Sequence, residues 1–181
     1  SVQFQRMPNV SLQPGEKMTC SLYGTAGPGP HRNLGIVTAK TPCGVAVSAE
    51  DPSHYFGRSP QGCAAGYWLS HTAAWPAGYV PGKAVQSVFR ESGRYPYLAM
   101  ASLGQALGFT GGTDRVGTAS RLLRAAVAAV LNAEHADIDY PRTPQQVVAE
   151  VNAALASDSR DAMLVLFSAL ERDNQSGCPL H

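Results

Sequence analysis

The chain has 181 residues, 44% of them hydrophobic and only 15% charged, with a formal net charge of +1. That length suits one ordinary domain or two small ones. The near-neutral charge, with no Lys/Arg cluster, argues against a protein that tracks nucleic-acid phosphates. The chain carries no apolar run of the roughly 18 residues that a membrane span needs.

Residues 1–57 read as β. "VQFQ" alternates, and so does "EKMTCSLYG", which puts Met18, Cys20 and Leu22 on one face. Between them "QPGE" is a Pro-Gly turn signal. "NLGIVTAK" and "GVAVSA" supply two more strands, separated by the Gly- and Pro-punctuated "TAGPGPHRN" and "KTP". Four or five short strands at this spacing suggest a β-sandwich, but a full one has about seven. The missing strands are expected either upstream of Ser1 or from another chain. The opening "SVQFQRMPNV" does not follow a charged-then-apolar leader pattern, so Ser1 is read as a processing point or a boundary.

"EDPSHYFGRSPQG" (50–62) is linker-like by composition. The β segment is carried to residue 57 and the link proper is placed at 58–62. Tyr55 and Phe56 are expected to pack where the two segments meet.

Residues 63–181 read as a mainly helical domain. "PYLAMASLGQALG" predicts a short helix ending at Gly108. "TASRLLRAAVAAVLNAEHA" is the strongest helix, with Leu122, Leu123, Ala126, Val127, Val130 and Leu131 on one broad face. "TPQQVVAEVNAALAS" starts with a capping box, Thr143 with Gln146, and Pro144 in the first turn. "DSRDAMLVLFSALERDN" takes Ser157 or Asp158 as its cap and buries Met163, Leu164, Phe167 and Leu170. Three or four amphipathic helices with short links make a small bundle. The fold class is therefore α+β: a partial β-sandwich followed by a small disulfide-closed helical domain.

The four cysteines are Cys20, Cys43, Cys63 and Cys178. An even number at wide spacing, with no C-x-x-C, suits two disulfides better than zinc. Of the three pairings, Cys20–Cys43 with Cys63–Cys178 keeps each bridge inside one compositional segment. Asn9-Val10-Ser11 and Asn174-Gln175-Ser176 are formal glycosylation acceptors.

Chemistry-bearing residues concentrate in "GCAAGYWLSHTAAWP" (62–76), which holds both tryptophans. The structural reading makes Trp68 and Trp75 packing elements beneath a Cys63–Cys178 staple. The competing reading makes Tyr67, Trp68, His71, Trp75 and Tyr79 a ligand platform for a glycan or peptide. His71 beside Ser70 is the best catalytic candidate, with Asp114, Asp137 and Asp139 as acids, but no G-x-S-x-G elbow accompanies it. No catalytic residue is assigned on this basis. "NAEHADIDY" gathers Glu134, His135, Asp137 and Asp139 without an EF-hand's glycine and closing Glu, and reads as a solvated helix end. "GFTGGTDRVGT" (108–118) lacks a Lys-Ser/Thr pair and reads as a plain flexible loop rather than a phosphate cradle. No metal and no cofactor are expected.

The second segment resembles a module of bacterial secreted proteins. Its pattern stands here as Cys63, Gly66-Tyr67-Trp68, His71, Trp75-Pro76, "AVAAVLNA" (126–133), Asp139-Tyr140-Pro141, Thr143 with Val147, and Gly177-Cys178-Pro179-Leu180. The match spans residues 62–180. It departs where the module often carries Lys-Asn and this chain carries Leu69-Ser70. The first segment resembles the C-terminal half of an immunoglobulin-like repeat of bacterial surface proteins, in "LQPGEKMTC" (12–20), "GPHRNLGIVTA" (29–39) and Asp51 to Gly57. These resemblances imply secretion or cell-surface placement and a non-catalytic role in structure, assembly or adhesion. They also make the β segment a partial immunoglobulin-like β-sandwich, and its strand shortfall points to a second copy or another protein chain as partner through the β segment. The alternatives are a secreted hydrolase using His71 and a carbohydrate-binding module using Trp68 and Trp75.

Overall fold

A computed structural model describes residues 11–19, 21 and 27–180. The expected strand "VQFQ" lies outside them. In "EKMTCSLYG" the described part, Glu16 to Thr19 and Ser21, has no regular secondary structure. The "QPGE" turn forms as read: Glu16 N donates to Gln13 O at 3.0 Å and Gly15 takes φ 89°.

The described β structure is one antiparallel ribbon, β1 (Gly29–Lys40) with β2 (Ala46–Gly57). The described residues thus give a mixed α+β chain with two long strands in a single layer; a full sandwich is not formed among them, and much of the sequence read as earlier strands lies outside them. Residues 50–57, linker-like by composition, are strand, because β2 runs through Gly57. The ladder explains why the strand tolerates Pro52. Thr41 N donates to Val45 O at 2.9 Å, which makes 41 and 45 a bonded pair. Bonded and non-bonded pairs alternate along an antiparallel ladder. The register Leu34↔Pro52 then falls on a non-bonded pair, so Pro52 lacks only an outward N–H. The turn closes through Pro42, Cys43 and Gly44, with Gly44 at φ 83° supplying the left-handed residue of a three-residue hairpin loop.

Both faces of the ribbon carry exposed apolar side chains. Ile36, Val37, Val47 and Phe56 are each more than half exposed (58%, 60%, 51% and 73%). Phe56 therefore does not pack at a junction as expected. Tyr55 stacks instead on its cross-strand neighbour His31, with ring centroids 4.9 Å apart.

The helical part contains α1 (Ala65–Ser70), α2 (Pro96–Ala99), α3 (Leu103–Leu107), α4 (Arg115–Glu134), α5 (Pro144–Ala156) and α6 (Arg160–Asn174). Three 3-10 turns lie between α1 and α2. The single helix expected over 96–108 is split. Ser102 and Gln105 form a capping box, which starts a new helix at Leu103 and ends the previous one.

The hub is α4, which packs against α1, α3, α5 and α6. From Ala125 to Asn132 every residue is buried, so the helix is enclosed on all sides rather than amphipathic. Its alanines permit close approach of neighbours, while Leu122, Leu123, Val127, Val130 and Leu131 fill the core. Helix α5 begins as read, with Thr143 and Gln146 reciprocally bonded. Helix α6 begins later than read: Ser159 is its cap, accepting from Ala162 N, rather than Ser157 or Asp158. Asp158 adopts φ 53° and its carboxylate takes Arg115 Nη1 at 2.6 Å.

Candidate functional site

The two ends of the helical segment meet. Cys63 and Cys178 are disulfide-bonded, with Cα atoms 4.4 Å apart, and Gly62 forms an antiparallel bridge with Gly177. Glycine is required at 62 because a Cβ there would lie 2.3 Å from Asp173 O. The second expected bridge, Cys20–Cys43, involves Cys20, which lies outside the described residues; Cys43 is exposed in the hairpin turn.

Beneath the disulfide lies a buried polar network that sequence reading missed. Asn132, in α4, accepts at Oδ1 from Cys63 N (2.8 Å) and from the Trp68 indole N–H (3.1 Å). Its Nδ2 donates to Cys63 O (2.9 Å) and to Asn174 Oδ1 (3.0 Å). Asn174, the last residue of α6, also accepts from the Tyr140 hydroxyl (2.9 Å) and donates to Ala125 O (3.0 Å). Asn132 is fully buried and Asn174 is 1% exposed. Every hydrogen-bonding position of the Asn132 amide is thus filled, as burial of an amide demands. Burial pushes the Tyr140 phenol well above its ordinary pKa and keeps it a neutral donor. The signal available in the sequence was a lone Asn within the otherwise apolar "AVAAVLNA".

The predicted platform residues surround this clasp but do not form one open aromatic surface. Trp68 is fully buried and meets the half-buried Tyr67 edge-on at 5.4 Å. Trp75 is half-buried and its indole N–H donates to Trp68 O at 2.9 Å. Tyr79 is half-buried, with Lys83 Nζ 5.3 Å from its ring centroid. Burial, and secondarily the negative charge of Glu134, raise the Tyr79 pKa.

His71 is exposed and stacks on Tyr67 at 4.1 Å. Its Nδ1 lies 2.9 Å from Tyr67 O and 2.9 Å from Ser70 Oγ. The Tyr67 carbonyl can only accept, so this contact is a hydrogen bond in the Nδ1–H tautomer. Ser70 Oγ is also within 3.1 Å of the Gly66 and Tyr67 carbonyls, to which its hydroxyl donates. The pair therefore closes the end of α1 and does not align a basic nitrogen against a nucleophile. Of the three candidate acids, Asp114 caps α4 through Gly117 N, Asp137 N donates to His135 Nδ1, and Asp139 N donates to Gln61 Oε1.

Among the described residues no group of three His, Cys, Asp or Glu side chains is arranged to hold a metal ion. The glycine-rich loop before α4 is packed closely: a Cβ on Gly117 would lie 2.2 Å from Gly112 N. Ser120 Oγ and Arg160 Nε tie down Thr110 O and Thr113 O. The Asp114 carboxylate already occupies the α4 N-terminus, where a phosphate would sit. Within the described residues no helix is long and apolar enough to cross a membrane.

No family model, curated protein or solved structure matches the chain.

Proposed function

We propose that this protein is a secreted or surface-exposed structural module, non-catalytic, in which a covalently closed helical scaffold accompanies a β ribbon that another polypeptide strand completes. The observation that carries the reading is the ribbon. Two twelve-residue strands hold apolar side chains in solvent on both faces. Sheet edges and apolar faces of this kind are surfaces on which strand addition occurs. Read with its sequence resemblance, the ribbon is part of an immunoglobulin-like sandwich. The disulfide favours an oxidising compartment. The contact of His71 Nδ1 with the Tyr67 carbonyl and the enclosed Trp68 favour a structural role for the loop over hydrolysis or sugar stacking.

Residue-resolved hydrogen exchange on the monomer tests this. The outward amides of Arg32, Leu34, Ile36 and Thr38 should exchange rapidly, and the inward amides of Asn33, Gly35, Val37 and Ala39 slowly. Slow exchange at the outward set in a monomer would mean that the chain already covers its own edge, and the reading would fail.

A further inference from the structure

We propose that the edge of β1 pairs with the same edge of a second copy of this chain, antiparallel and centred on Gly35, giving a sheet of order β2-β1-β1-β2. This rests on the assembly reading above and names its partner. The two edges of the ribbon are unequal. Past Pro30, which opens the strand and has no N–H, the ladder phase turns the backbone groups of Arg32, Leu34, Ile36, Thr38 and Lys40 outward from β1. All five have an N–H. On β2 the corresponding row contains Pro52, which offers none, next to the negative pair Glu50–Asp51. Proline and charge are the ordinary means by which an edge is blunted. β1 offers five successive outward N–H groups, from Arg32 to Lys40, because its proline stands at the strand's start, whereas Pro52 divides the row on β2 into runs of three and two.

Several antiparallel registers bring outward groups of two β1 strands together. Centred on Ile36, Arg32 would face Lys40 of the other copy twice, which like charges oppose. Centred on Leu34, Arg32 would face Ile36. Centred on Gly35, Leu34 faces Ile36 twice and Arg32 faces Thr38. The same register aligns the His31–Tyr55 stack with Ala39 and Val47 of the other copy, on the face where Val37, Ala39, Val47 and Ala49 line an apolar depression. Two copies each carrying a net charge of +1 repel little.

At the centre of this register Gly35 faces Gly35 in a non-bonded pair, where Cα atoms come within reach of a disulfide. A Cβ on Gly35 meets nothing closer than Asp51 O at 3.6 Å, so cysteine fits there. The test uses the full chain. Light scattering is read across a concentration series, and air oxidation is followed for Gly35→Cys and Val37→Cys with Cys20→Ser and Cys43→Ser in both. The expected result is a dimer that grows with concentration and several-fold more cross-linked dimer from Gly35→Cys than from Val37→Cys. Ile36→Pro should give a monomer with unchanged helical melting, because it deletes only an outward N–H. If either cysteine variant misfolds, comparison of wild type with Ile36→Pro decides. A monomer at every concentration overturns the second copy as partner while leaving open-edge exchange, and hence the assembly reading, intact. A dimer that survives Ile36→Pro, or cross-links better through Val37→Cys, places self-association elsewhere and also overturns it.

Discussion

Asn132 and Asn174 share a hydrogen bond of 3.0 Å in the interior, and through it the middle of the chain holds both ends of the helical segment. Asn132 reaches the Cys63 backbone and the Trp68 indole, while Asn174 reaches Tyr140 and Ala125.

Replacing Asn132 by Ala strands the Cys63 backbone groups and the Trp68 N–H in an apolar setting. Each buried group left unpaired costs about 1–3 kcal/mol, so Asn132→Ala should lose roughly 3 kcal/mol or more. Denaturant unfolding measures this. A double-mutant cycle with Asn174→Ala should show non-additivity, because the two amides share a bond.

Reduction of the disulfide should lower stability strongly. Its closed loop spans a sequence separation of 115. The chain-entropy model assigns about 4–5 kcal/mol to a loop of that size. Thermal unfolding with and without reductant, and of the Cys63→Ala/Cys178→Ala variant, provides the measurement.

The raised pKa of Tyr140 predicts a loss of stability in alkali. The folded state keeps the phenol protonated above its ordinary value of 10.0, while the unfolded chain releases the proton there. Unfolding therefore releases a proton, and stability, complete below that value, falls as pH rises above it. Tyr95 and Tyr79 are shifted the same way and add to the decline. Tyr140→Phe should give a shallower decline above pH 10 in denaturant titrations.

Substitution of His71 should leave no catalytic trace. Wild type and His71→Ala are expected to give equal background signals on ester, peptide and glycoside panels. A clear wild-type activity abolished by His71→Ala would restore the hydrolase reading.

Trp68 should emit as a buried indole, and Trp75 as a partly buried one. Single Trp→Phe variants separate the two. Sugars should leave both spectra unmoved, and a saturable shift on adding a glycan would favour a binding platform.

The helical half was legible because its signals are local. Thr143, Pro144 and Gln146 announce α5 whatever surrounds them, and the long apolar stripe announces α4. Cys63–Cys178 followed from position along the chain. Features set by tertiary contact were not legible. Asn132 resembles any helical Asn until Cys63, Trp68 and Asn174 are seen to converge on it. Ser159 displaced the earlier caps because Asp158 is drawn to Arg115 and adopts a left-handed backbone. In β2, "EDPSHYFG" was linker-like because composition does not reveal which way the imide nitrogen of Pro52 faces.

The Cys63–Cys178 bond also changes how the protein would answer to pulling. Tension entering at Gly62 and leaving at Pro179 passes across one sulfur–sulfur link and bypasses α1 to α6. The bundle is mechanically sheltered while oxidised. After reduction the separation of 115 residues becomes extensible by roughly 400 Å at full stretch, so the redox state of one bond would set whether the segment acts as a rigid joint or a slack tether.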